Sequence, residues 1–295
     1  MPLVQSDSSY SQSRCITLPL TLPGPGTYNV TASLLLYGVA VSTSSVSYNY
    51  SPDRDYFVEG SASMSLSVSS SPASSPPALD PLSSAVEASL SVAARGESLL
   101  PEDVLAMPGM SGTTFRRFIN NLLGAVPDGS RSYLEVGVWS GSSFSSALYG
   151  NGGVRAVAID NWSQFGGPKD VFIENVKRYG AEASVVVLES DCWSVDAAEL
   201  SGYGPFSVYF FDGPHEVLDH YRALAEYFRF LSPHSIVIVD DWNFVDVRQG
   251  TEAALEHLPV EVVYRKEIVT TRNVAVDKTE WHNGVAIFVL RKLIT

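Results

Sequence analysis

The 295-residue sequence predicts an α/β protein, a mostly parallel sheet of seven strands preceded by a small N-terminal antiparallel β domain. Three observations lead there. Five short β-rich runs in the second half alternate with segments of helical spacing, which implies parallel strands with helices on both faces. Two further runs close the chain with no helix between them. Composition also shifts: Ser dominates the first 95 residues, and the first lysine is Lys169.

Residues 1–68 read as the Ser-rich β domain, with oligomerisation, attachment or acceptor binding as its candidate roles. TYNVTASLLLYGVAVSTSSVSYNY is rich in Val, Thr and Tyr and suits two strands around Tyr37-Gly38. SASMSLSVS alternates strictly, putting Met64, Leu66 and Val68 on one face. Residues 69–95 read as a Ser/Pro-rich linker, although SSAVEASLSVAARG within it also suits a helix. The third domain spans 96–295. Its strands are SYLEVGV, VRAVAID, SVVVLES, FSVYFFD and SIVIVDD, then EVVYRKEIV and GVAIFVLRK as a hairpin-like pair. The clearest helix is EVLDHYRALAEYFRF, with Val217, Leu218, Tyr221, Leu224, Ala225 and Phe228 on one stripe.

A formal net charge of −13 argues against nucleic acid, since phosphate binding needs clustered Lys and Arg. Cys15 and Cys192 form neither a metal-spacing motif nor a disulfide framework. No apolar run has the length of a membrane span, and the N-terminus lacks the basic region of a signal peptide. No membrane partner is expected, and cytoplasmic residence is the default, with virion or surface association the alternative.

In open α/β sheets, ligands sit beyond the carboxyl ends of the strands. The first strand of the sheet ends in Glu135, Gly137, Trp139 and Gly141. Gly137 allows a sharp turn, and Gly141 allows close approach to the next helix. Trp139 stands where a dinucleotide fingerprint would have its second glycine. Asp160 ends the second strand, placed to accept from ribose hydroxyls. Asp191 follows the third, placed to accept from an adenine amino group, with Trp193 available for stacking. Each acid taken alone suits a loop cap equally well; the glycine turn followed by two strand-end acids is the informative pattern.

These motifs resemble a class I S-adenosylmethionine-dependent methyltransferase, a Rossmann-like fold. More narrowly, they resemble the metal-dependent sugar O-methyltransferases of the macrocin O-methyltransferase type. The resemblance rests on E-x-G-V-W-x-G (Glu135 to Gly141), N-x-x-R-Y-G (Asn175 to Gly180), Asp212-Gly213, and L-S-P-x-x-x-V-I-x-D-D (Leu231 to Asp241). It covers roughly residues 100–295 and implies that Glu135, Gly137, Asp160 and Asp191 line the S-adenosylmethionine site.

Asp212 and Asp240 end strands 28 residues apart, one strand–helix–strand crossover. Neighbouring strands lie about 4.8 Å apart, so Asp212, Asp240 and Asp241 converge. Three uncompensated carboxylates repel, and a divalent cation relieves the conflict. Carboxylate ligation favours Mg²⁺, with Mn²⁺ or Ca²⁺ as alternatives. The resembling enzymes bind Mg²⁺ at these three positions. Many of them carry a basic Asp two residues after the first metal Asp, where this chain has Pro214. A subset carries His three residues after it, and His215 matches that version.

The expected reaction is Mg²⁺-dependent methyl transfer to a hydroxyl of a sugar or other vicinal diol, most simply a glycoside. The cation lowers the hydroxyl pKa and His215 serves as general base, with His220 as the weaker alternative. Met107 and Met110 suit a lid, and Arg248 an acceptor contact. A homo-oligomer, built through the N-terminal β domain, is also expected. Two other classes remain open at this level: a structural or attachment protein with a methyltransferase-like half, and a nicotinamide-dependent oxidoreductase.

Overall fold

A computed structural model describes residues 26–36, 39–50, 80–127, 131–270 and 280–293. The expected strand at 61–69 lies outside the described residues, as do Cys15 and most of the Ser/Pro stretch. The chain divides into two compact units, Met1–Pro76 and Pro77–Thr295. In the first, strands β1 (Gly26–Leu36) and β2 (Val39–Tyr50) pair antiparallel, Gly26 opposite Tyr50, with a register shift between Leu34 and Leu35.

The second unit begins with α1 (Pro81–Ala94). Asp80 caps it by accepting from the Ser83 amide at 3.1 Å, and Pro81 takes the first turn, where its missing N–H costs nothing. Leu82, Val86, Leu90 and Ala93 recur on one helical face and are buried. The stretch left open between helix and linker is therefore helix from Pro81 to Ala94.

Then follow α2 (Glu102–Leu105), α3 (Thr113–Ala125), β3 (Ser132–Val136), α4 (Ser142–Leu148) and β4 (Arg155–Asp160). Next come α5 (Lys169–Tyr179), β5 (Ser184–Glu189), α6 (Ala197–Tyr203), β6 (Phe206–Phe211) and α7 (Val217–Ala225). The chain continues through β7 (Leu231–Val239), α8 (Val245–His257), β8 (Val260–Ile268) and β9 (Val285–Lys292). The sheet order is β5-β4-β3-β6-β7-β9-β8, parallel through β7, with β9 antiparallel to both its neighbours. This is the mixed, mostly parallel seven-strand sheet expected of a Rossmann-like fold.

One core cluster joins Val86, Phe115, Phe118, Leu122, Phe144 and Phe172 to one face of the sheet. A second joins Leu200, Leu224, Tyr227, Trp242 and Val247 to the opposite face. The chain runs outward from β3 to β4 and β5, then returns to place β6 on the other side of β3. That reversal opens a crevice at the carboxyl ends of β3 and β6, where open α/β sheets bind ligands.

The expected stripe on α7 holds at Leu224, which is buried, and at Tyr221 and Phe228, which pack against the same core, but not in its first turn. Val217 and Leu218 are exposed, while His220, Ala223 and Leu224 are buried. α7 also lies close to α8: a Cβ on Gly250 would stand 2.1 Å from the Val217 carbonyl oxygen and 2.8 Å from the His220 Cβ.

Candidate functional site

Backbone ladders bring the strand ends together. Val136 pairs with Phe211, and Phe211 with Val239. The Asp212 amide donates to the Val136 carbonyl at 2.9 Å, and the Asp240 amide to the Phe211 carbonyl at 3.1 Å. Asp212 and Asp240 are thereby fixed side by side.

Gly137 and Gly141 both take the left-handed conformation, φ +85° and +83°. A Cβ on Gly137 would lie 1.8 Å from the Asp212 carbonyl oxygen, so only glycine lets β3 and β6 approach this closely. Asn175 donates to the Ser140 carbonyl at 2.9 Å and pins the turn from α5. Glu135 lies beneath it, fully buried, accepting from Tyr133 and Ser143 hydroxyls at 2.5 Å each. Burial raises its carboxyl to about 7 against the pull of those two hydrogen bonds. Glu135 thus ties β3 to the start of α4 across the glycine turn.

Asp160 accepts from the Trp139 amide at 2.8 Å and the Trp162 amide at 2.6 Å. Trp139 and Trp162 both adopt positive φ, and the Trp162 indole donates to the Trp139 carbonyl. The acid that ends β4 therefore shapes two loops. Asp191 is exposed, accepting from the Trp193 amide at 2.8 Å and lying 3.5 Å from the Asn161 amide nitrogen. Trp193 does not project beside them. It packs against Phe211 and Tyr227, and the Arg222 guanidinium covers its ring at 4.2 Å.

At the ends of β6 and β7, Asp212, His215 and Asp241 each place one ligand atom within 4.8 Å of the others. Two of the three expected acids, Asp212 and Asp241, fall in this group together with His215. Asp240 is buried beside Asp212, whereas Asp241 turns back at φ 56°. A non-glycine residue there carries about 1–3 kcal/mol of strain, which the surroundings must hold. His215 Nε2 lies 2.7 Å from Asp241 Oδ2. The pair shifts both groups. The hydrogen bond raises His215 against the effect of burial, while Asp241, which burial alone would raise, is held below the ordinary carboxylate value by His215. Asp212 and Asp240 both rise well above that value, through burial and then through neighbouring carboxylates.

No described lysine or arginine pairs with these three acids. Two protonation-prone carboxylates beside an ionised one form a donor set that a divalent cation would suit.

The remaining candidates separate clearly. His220 is buried with neither ring nitrogen hydrogen-bonded, and burial lowers its pKa to about 4. It is sealed away from any acceptor. Met107 is core, packed with Leu100, Val104 and Leu105, whereas Met110 is exposed. Arg248 donates to the Trp242 carbonyl.

Asn283 was not anticipated. Its Nδ2 donates to Asp241 Oδ1 at 2.7 Å from 42 positions downstream. The only sequence signal was the glycine of W-H-N-G before the last strand, which marks a tight turn without saying what it meets.

A family described as a methyltransferase domain matches residues 134–242. No curated protein matches the chain. Among solved structures, cofactor-bound Rv0187 from MTB is 19% identical, with 72% of this chain and 91% of that one covered and a TM-score of 0.43. The O-methyltransferase from Bacillus cereus in complex with SAH is 18% identical, covering 70% and 91%, with a TM-score of 0.44. The SAH-bound methyltransferase of Podospora anserina is 13% identical, covering 71% and 88%, with a TM-score of 0.45. Likeness at that level carries no argument beyond the family match. Within the α/β unit, the stretch from β3 to just past β7 is thus similar to a methyltransferase domain.

Proposed function

We propose that this domain is a Mg²⁺-dependent O-methyltransferase whose acceptor is a sugar or other vicinal-diol small molecule, in the manner of the macrocin type. The observation that carries the reading is the convergence of Asp212, His215 and Asp241 beside the glycine turn of β3.

S-adenosylmethionine supplies a methyl carbon on a cationic sulfur, which departs as a neutral thioether with the C–S electron pair. The turn from Gly137 to Gly141 admits that cofactor, and Asp160 holds the shape of its far wall. Asp212 and Asp241, with Asp240 beside them, would hold a divalent cation, which supplies Lewis acidity toward an acceptor hydroxyl. His215 accepts the hydroxyl proton as the oxygen bonds to the methyl carbon. Half of the His215 side chain is open to solvent, so the proton can leave. The acidic crevice also suits the positive charge of the donor and disfavours polyanionic acceptors.

Isothermal titration with S-adenosylmethionine, with and without Mg²⁺ and with NAD as control, tests the first half. Binding of S-adenosylmethionine alone is expected. Methyl transfer to a panel of glycosides and catechols tests the second, and turnover unchanged by EDTA would remove the cation from the scheme.

A further inference from the structure

We infer that Asn283 is a positioning residue for the cation: it holds Oδ1 of Asp241, which keeps Oδ2 turned into the group formed with Asp212 and His215. This rests on the divalent cation proposed above.

The two oxygens of Asp241 are divided. Oδ1 accepts from Asn283 Nδ2, and Oδ2 lies beside His215 Nε2, both at 2.7 Å. Asp212, His215 and Asp241 each offer one ligand atom within 4.8 Å of the others. The two oxygens of a carboxylate carry about four lone-pair positions, so Oδ2 can meet both His215 and a cation while Oδ1 is held from outside. With that outer bond gone, the carboxylate can swing about χ2, a broad torsion. A cation would then have to fix the ligand as it bound. Hydrogen bonds from outside the ligand set remove that cost, and losing one weakens metal affinity about 10–100-fold. Asp241 is buried, so water is poorly placed to replace the Asn283 amide.

The turn carrying Asn283 is held by other groups. Val239 pairs with Ala286, which brings the residues before β9 opposite those after β7. The Trp242 amide donates to the Gly284 carbonyl at 3.1 Å, and the Asn243 amide to the Asn283 carbonyl at 2.9 Å. Asn243 and Thr270 are joined twice: Asn243 Nδ2 donates to Thr270 Oγ1 at 2.7 Å, and the Thr270 amide to Asn243 Oδ1 at 3.0 Å. The Thr270 hydroxyl then donates to the His282 carbonyl at 2.8 Å. On the other side, the Phe115 amide donates to the Glu280 carbonyl, and Trp281 packs on Phe115 and Phe118. Gly284 is required: at φ +83° a Cβ would stand 2.5 Å from the Ile268 carbonyl oxygen. Main chain and neighbours thus fix the turn, and the Asn283 side chain reaches Asp241 from a rigid base. Ligands are oriented most closely by groups whose own support is locked in this way.

The test is calorimetric titration of the full chain with Mg²⁺ and with Mn²⁺, beside a titration with S-adenosylmethionine. Asn283→Ala and the near-isosteric Asn283→Leu both remove the donor. Each should lower the affinity for both cations about 10–100-fold and leave that for S-adenosylmethionine within about twofold. Asn283→Gln, which keeps the donor, should recover part of the cation affinity. In wild type, the Asn283 side-chain amide signals in ¹⁵N NMR should shift on addition of Mg²⁺, a readout that needs no variant. Cation affinity within threefold of wild type in both Ala and Leu variants would overturn the inference. So would a matching fall in S-adenosylmethionine affinity, or amide signals that Mg²⁺ leaves in place. The cation reading fails separately: a wild-type chain that binds neither Mg²⁺ nor Mn²⁺ removes the cation and the role of Asn283 together, whereas cation binding untouched by the substitutions removes the role of Asn283 alone.

Discussion

At the residue scale, the chemistry hangs on where two carboxylic acids put their charge. Glu135 is buried with two hydroxyl donors and sits at about 7, above its ordinary 4.5. The folded protein therefore keeps a proton that the unfolded chain has lost. The stabilising contribution is complete below pH 4.5 and is lost as pH rises toward 7. Wild-type stability should fall across that window relative to Glu135→Gln, by at most about 3 kcal/mol, as read from urea midpoints. Parallel curves for the two proteins would refute it. Asp241 works in the other direction, holding its charge through His215 and raising the pKa of the imidazole. A base must be neutral to act, so the rising limb of kcat against pH should lie above the ordinary histidine value of about 6.5. His215→Ala should cost about 10²–10⁴ in rate, and a loss under threefold in a methyl-transfer assay would dismiss it.

At the element scale, much of the architecture was legible and part of the site was not. Strand ends delivered Asp160, Asp212 and Asp240 where their apolar runs stop, because a buried parallel strand has few polar positions until it leaves the sheet. Gly137 and Gly141 were legible for the same reason, as turns no other residue makes cheaply. Helix faces were harder. The stripe on α7 held at Leu224, but Val217 and Leu218 are exposed and His220 is buried close to Gly250 of α8. Gly250→Val should therefore separate α7 from α8 and cost about 1–3 kcal/mol, with a matching fall in Tm. A melt unchanged from wild type would show that the helices tolerate the added volume. The turn-back at Asp241, φ 56°, could not be read either, since Asp takes extended backbone as readily.

At the scale of the whole molecule, unit Pro77–Thr295 holds the three core clusters of the described residues and every candidate site residue. Removal of residues 1–76 should leave S-adenosylmethionine affinity within threefold in a calorimetric titration. A tenfold loss would mean that the first unit takes part in cofactor binding. The order of the sheet has a further consequence, for biosynthesis. β9 lies between β7 and β8 although it follows both in sequence. While the ribosome is still adding the segment after β8, β7 has an open edge and β8 has no neighbour in the sheet. At about 5–20 residues per second, that interval lasts seconds, long enough for two unpaired edges to meet another nascent chain. Asn283 emerges just ahead of β9, so its hydrogen bond to Asp241 forms in the same step that pairs the two edges.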